Sequence, residues 1–292
     1  MTSQAAGRAL VLGAAVLWGT TGTAQALAPG AASPPAVGAI RLIVGGVALM
    51  ALASRRGPIW PRGVARAPAA GSAAAMAAYQ LFFFAAVAAT GVAVGTAVAI
   101  GSAPVLAGLL AALVRGERLT RRWAVATSLA MAGCVLLVGG GRAIEVDPGG
   151  VLLALGAGAS YATYAVASKQ LLERAAPLQA AAITFAGAAL LLSPLLIFVG
   201  LSWLASARGV AVALHLGLIA TAVAYLLFGR GLRVIPVTTA ATLSLAEPVT
   251  AALLGIALLD ERPAPVALLG IAFILAGLVI VTLRSGSLAS RS

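Results

Sequence analysis

Few side chains in this 292-residue chain carry chemistry into its long apolar runs, and those few recur at regular spacing. Ala14, Trp18, Thr21 and Gln25 stand at i, i+4, i+7 and i+11, one face of a helix. Ala157, Tyr161, Tyr164 and Ser168 repeat that face, and a shift of 143 residues superposes the two sets pairwise. Ser72, Met76, Tyr79 and Phe83 form a similar face with Gln80 beside it, and Thr221, Tyr225 and Phe228 another. Aromatic surfaces interrupted by hydroxyls suit an organic molecule with an apolar body and a polar end, whereas an inorganic ion would want more charge. Trp and Tyr also serve as interfacial belt residues, but Trp18 and Tyr161 lie about halfway along their runs. For Met76, Phe83 and Phe228, packing against neighbouring helices is an equally good account.

Arg41 and Glu247 are the clear charges inside apolar runs. Arg41, about two turns in, either snorkels to the surface or binds a substrate carboxylate. Glu247 is near the centre of its run, so it is expected to be protonated, paired or open to a water-filled cavity. It is either a coupling site, exchanging a proton for a cationic amino group, or a structural acid. Pro104 and Pro248 each lack an N–H, which should free the carbonyls of Ile100 and Ser244 and turn both bends toward the interior. The candidate substrate-binding residues are therefore Trp18, Thr21, Tyr79, Gln80, Phe83, Tyr161, Tyr164, Tyr225, Ser244 and Glu247.

Catalysis is poorly provided for. The sequence has no His-Glu-x-x-His, no pair of intramembrane aspartates, no Ser/His arrangement and no P-loop. A single histidine, His215, and a single cysteine, Cys134, make neither a zinc site nor a disulfide. His215 reads as a hydrogen-bonded helix histidine. Neither an enzyme nor a cofactor is expected.

These residues must be positioned by helices in lipid. The chain is 62% hydrophobic and only 9% charged, against about 25% charged in soluble domains. At about 20 residues per crossing, ten helices use roughly 200 and leave about 90 for loops and tails. Hydropathy, Pro/Gly punctuation and charge place the spans near 9–28, 35–53, 69–89, 92–114, 123–140, 150–168, 178–200, 209–229, 237–259 and 265–283. The fold class is thus an all-α integral membrane protein. Arg8, an apolar stretch and Ala24-Gln25-Ala26 imitate a cleavable signal peptide. The run is long enough to span and its pattern recurs in the second half, so no cleavage is expected.

The net charge of +12 reports topology. Fifteen of the 19 basic residues fall on one side, in the N-terminal tail, the loops at 55–66, 115–122, 169–174 and 230–233, and the C-terminal tail. The other side holds Arg142, Arg208 and Arg262. The positive-inside rule makes both termini cytoplasmic. Anionic membrane lipid is the natural counter-charge, and no nucleic-acid partner is expected.

A shift of 144 residues aligns Pro104-Val105 with Pro248-Val249, Glu117-Arg118 with Glu261-Arg262, and Gly133 with Gly277. Proline followed thirteen residues later by Glu-Arg is hard to obtain twice by chance, so residues 1–146 and 147–292 are read as two five-helix repeats. An odd number of crossings per repeat inverts the second copy, an arrangement found in secondary transporters with midplane sites. The glycines, 34 in all, and the Gly91-x-x-x-Gly95 spacing are read as packing surfaces.

Trp18-Gly19-Thr20, Arg41-Leu42, Ser102-Ala103-Pro104-Val105 with Gly116-Glu117-Arg118-Leu119-Thr120, and Glu247-Pro248-Val249 with Asp260-Glu261-Arg262 resemble the EamA-type drug/metabolite transporter superfamily along essentially the whole chain. Asp260 departs from the glycine common in that superfamily, in an outer loop. The resemblance is greatest to bacterial ten-helix exporters of amino acids and related metabolites. It implies ten helices in two inverted repeats around a cavity lined mainly by helices 1, 3, 4, 6, 8 and 9, in the bacterial inner membrane. The expected substrate is a small amphipathic metabolite, foremost an amino acid, aromatic or large apolar. A non-transporting scaffold or sensor, or an exporter of drug-like cations, is the alternative; oligomeric state is not legible.

Overall fold

A computed structural model describes residues 4–30, 32–139, 147–259 and 262–283. Arg142, Asp260, Glu261, Arg284 and Arg291, used above for charge and repeat, lie outside the described residues.

The described chain is helical throughout: α1 (Gln4–Ala26), α2 (Pro34–Ser54), α3 (Arg66–Gly91), α4 (Val94–Arg115), α5 (Arg121–Gly139), α6 (Pro148–Leu171), α7 (Pro177–Leu192), α8 (Ala207–Leu232), α9 (Val237–Leu259) and α10 (Pro265–Thr282). Prolines open α2, α6, α7 and α10, where a missing N–H costs nothing. Asp147 caps α6 by accepting a hydrogen bond from the Gly150 N–H at 2.7 Å. Nine candidate membrane spans are present among the described residues, and α1 is not one of them. Its C-terminal half carries Thr20, Thr21, Thr23 and Gln25, which dilute its hydropathy.

Several spans differ from expectation for local reasons. α7 stops at Leu192 and continues as a 3-10 turn, Ser193–Ile197, because Pro194 cannot continue the α-helical ladder. Gly91 is not a packing glycine. At φ 79° and ψ 164°, a conformation that only glycine adopts readily, it turns α3 into α4, and nothing lies within 4 Å of where its Cβ would be. Gly95 does pack closely, against Val87. Within α8, His215–Val223 forms a π-helical segment.

The helices pair across the two halves. α2 packs on α7 and α5 on α10, while α1 packs on α8 and α9 as α6 packs on α3 and α4. Small residues permit the approach. A Cβ on Gly133 would lie 2.5 Å from the Gly270 carbonyl oxygen, and one on Gly277 2.5 Å from that of Ala126.

The arginine-rich end is tied by polar contacts. Glu117 in the α4–α5 loop accepts hydrogen bonds from the N–H groups of Val237 and Thr238 and from the Thr238 hydroxyl. It thereby caps the start of α9. Lys169 donates to the carbonyls of Leu232 and Ile235, Arg8 to that of Thr282 and Arg122 to those of Ile280 and Leu283, so these cations satisfy the C-terminal ends of α8 and α10.

Candidate functional site

A cavity lies where α1, α2, α3, α4, α6, α8 and α9 meet. It is lined by Trp18, Thr21, Arg41, Tyr79, Ile100, Ala103, Tyr161, Tyr225, Ala241, Ser244, Leu245 and Glu247. Its volume of about 50 Å³ for the centres of water-sized molecules holds a few waters, so as it stands the cavity is too small for an organic substrate. Both members of three pairs related by the 143- or 144-residue shift, Trp18 with Tyr161, Ile100 with Ser244 and Ala103 with Glu247, face into it.

The aromatic wall starts from α1. Trp18, 4% exposed, packs its ring 4.7 Å from Tyr225 and 5.4 Å from Phe228. Gly19 lets α9 come close: a Cβ there would sit 2.8 Å from the Glu247 carbonyl oxygen. The Trp18 indole N–H is buried and has no hydrogen-bond partner among the described residues. An unpaired buried donor is rare and costly, and a ligand acceptor would satisfy it. Tyr79 and Tyr161 face each other with centroids 6.4 Å apart.

On α9 the helix is interrupted at Ser244–Leu245, just ahead of Pro248. The Ser244 carbonyl is not left open as expected. It accepts from the Glu247 N–H at 3.0 Å, because the chain tightens by one residue where the proline withholds its own N–H. α4 runs through Pro104 without interruption. The Ser244 hydroxyl donates to the Ala240 carbonyl at 3.1 Å and therefore accepts from the Tyr161 hydroxyl at 2.8 Å. That fixes the Tyr161 ring and leaves its oxygen free to accept.

Arg41 does not snorkel. Its Nε–H donates to the Thr221 hydroxyl at 3.2 Å, and Thr221 donates in turn to the Leu216 carbonyl five residues back, at 2.8 Å, inside the π-helical segment. The wide turn thus creates the seat for the guanidinium. Nearby, Thr20 donates to the Leu17 carbonyl at 2.7 Å, so His215 Nε2 is the donor in their 2.8 Å contact. His215 is hydrogen-bonded within the helix pack. Among the described residues, no ion pair joins Arg41 to Glu247; the one present is Arg115 with Glu173, at the basic end.

Of the candidates read from sequence, the cavity brings together Trp18, Thr21, Tyr79, Tyr161, Tyr225, Ser244 and Glu247. Gln80, Phe83 and Tyr164 do not line it. Gln80 points to a separate apolar crevice between α2, α3 and α7. Phe83 stacks on Tyr79 at 5.7 Å, and Tyr164 is buried behind Tyr161 among Phe185, Tyr225 and Phe228. Met76 and Phe228 are core residues, and Ser72 hydrogen-bonds Thr184 at 2.8 Å to lock α3 to α7. Sequence reasoning named Ile100 only for its carbonyl and missed Ala103, Ala241 and Leu245, whose side chains carry no chemical signal. Ile100 and Ala103 were nonetheless reachable from Ser244 and Glu247 through the 144-residue shift. It also missed the capping role of Glu117, which it used only as a repeat marker.

Known proteins share this architecture. A solved crystal structure superposes with a TM-score of 0.83 at 24% identity, covering 96% of this chain and 97% of its own. The uncharacterized transporter YwfM of Bacillus subtilis is 46% identical over 272 residues, 93% of this chain and 92% of that protein. A Streptantibioticus cattleyicolor protein named a probable terminal-alkyne amino-acid exporter is 33% identical over 189 residues, 64% of this chain and 63% of its own. The model of the EamA-like transporter family matches twice, at residues 5–139 and 148–283. A cavity of this make-up inside a helical membrane bundle is what a carrier of small molecules needs, and with both halves matched the chain belongs to the EamA-like transporter family.

Proposed function

We propose that this transporter is a secondary exporter of small amphipathic metabolites, foremost amino acids with aromatic or large apolar side chains, in the bacterial inner membrane. The observation that carries the reading is the cavity itself: Trp18, Tyr79, Tyr161 and Tyr225 supply an apolar seat, while Thr21, Ser244, Arg41 and Glu247 supply polar ends. Tyr164 and Phe83 support that seat from behind. The Streptantibioticus cattleyicolor protein named a probable terminal-alkyne amino-acid exporter, similar over part of its length, agrees with it.

In this reading α1 is a tenth crossing, its polar residues facing protein rather than lipid, and both termini are cytoplasmic. Residues 1–146 and 147–292 are inverted repeats, in keeping with the matching helix pairs α1–α9 and α6–α4. Transport proceeds by alternating access. The polar ties at the basic end release as the cavity widens toward the cytoplasm, and re-form as it opens outward. Counterflow of radiolabelled amino acids in proteoliposomes tests the function. Accumulation of label against preloaded unlabelled amino acid supports it, and no accumulation with any amino acid refutes it.

A further inference from the structure

We infer that Arg41 and Glu247 are the specificity-determining pair of the cavity, Arg41 taking the carboxylate and Glu247 the ammonium of a zwitterionic amino acid. The inference rests on the exporter reading and narrows its substrate. Two opposite charges line one small cavity within the membrane-spanning bundle, yet no ion pair joins them. Charges at that depth persist where a partner, water or a ligand compensates them. Arg41 is anchored through Nε alone, to Thr221, so its two terminal nitrogens keep the fork that recognises a carboxylate. Thr221 is fully buried and fixed by the π-helical segment, so this anchor is built into the backbone of α8. Glu247 is held by its own backbone at the α9 interruption and is only partly covered.

The two charges sum to zero, as do those of a zwitterion. A simple cation would answer Glu247 and leave Arg41 uncompensated; a simple anion would do the reverse. The repeat-related partner of Glu247 is Ala103, so the pair is not a by-product of the repeat: it gives a symmetric cavity a direction.

Three probes with one apolar body separate the contributions: phenylalanine, phenethylamine, which lacks the carboxylate, and 3-phenylpropionate, which lacks the ammonium. Each is measured as a competitor of labelled phenylalanine, by binding to the full-length protein in detergent and by counterflow in liposomes. Wild type should prefer phenylalanine over both analogues by at least about tenfold, the scale of one charge-assisted hydrogen bond. Arg41→Gln should weaken phenylalanine about tenfold to a hundredfold while leaving phenethylamine unchanged. Glu247→Gln should do the same while leaving 3-phenylpropionate unchanged. Equal weakening of all three probes in either variant, or a wild-type preference for phenethylamine, overturns the inference. Should Arg41→Gln fail to fold, Arg41→Lys decides: it must keep the preference for phenylalanine over phenethylamine, and loss of that preference in folded protein counts against the pair. Wild-type protein that accepts no amino acid at all refutes the exporter reading instead, and is told apart by needing no variant.

Discussion

Glu117 and Thr238 are joined twice, the Thr238 backbone N–H and hydroxyl both donating to one carboxylate oxygen at 3.1 Å, so that a loop of the first half caps a helix of the second. The second oxygen takes the Val237 N–H at 2.9 Å. Because α9 also carries Ser244 and Glu247, the cap sets the position of one cavity wall from the arginine-rich end.

Glu117→Ala should therefore loosen the start of α9. The expected cost is about 0.5–2 kcal/mol, the range for losing a helix N-cap. Hydrogen–deuterium exchange should show faster exchange in 237–243 with the rest of α9 little changed. Glu117→Gln keeps one acceptor oxygen and should fall between. Unchanged protection in the alanine variant would mean that the cap is not a constraint.

Trp18→Ala and Tyr161→Ala should cut transport while leaving membrane abundance intact. Tyr161→Phe should be milder, since it removes one hydrogen bond, to Ser244, worth about 0.5–1.5 kcal/mol and so at most about tenfold in rate. Transport assays normalised to protein measured in the membrane decide the matter. Parallel loss of folded protein would assign both rings to packing.

Much of this was legible because lipid makes sequence speak plainly. α2, α5, α9 and α10 begin and end within about two residues of the expected spans, since Pro and Arg mark their ends. The expected span 178–200 overruns α7 because Leu195–Phe198 is as apolar as a helix while Pro194 ends one. In the site, large aromatic residues were visible, but Tyr164 and Gln80 shared their spacing and still turned elsewhere. Helical periodicity gives a face; which neighbour that face meets depends on crossing geometry. The π-helical segment left no sequence mark, so the seat of Arg41 could not be anticipated.

Glu247→Ala, at matched membrane abundance, should lower transport with and without a pH gradient. Glu247→Gln should abolish export driven by a proton gradient while amino-acid exchange persists at the weakened affinity, because an amide still hydrogen-bonds but cannot carry a proton. Full wild-type transport by Glu247→Ala under both conditions would remove the residue from the pathway.

Orientation is open to direct measurement. Reporter fusions after Arg66 and Arg122 should read cytoplasm, and insertions within residues 29–34 or after Asp260 should read exterior. All four on one side would refute the inverted arrangement.

The close seam between α5 and α10 is built from two matching surfaces. Gly133 and Gly277 are counterparts under the 144-residue shift, and each approaches the backbone of the other's helix. The contact is therefore isologous, one surface meeting its own copy. Enlarging either glycine damages the same seam from opposite sides, so substitutions at the two positions are coupled and their costs should not simply add.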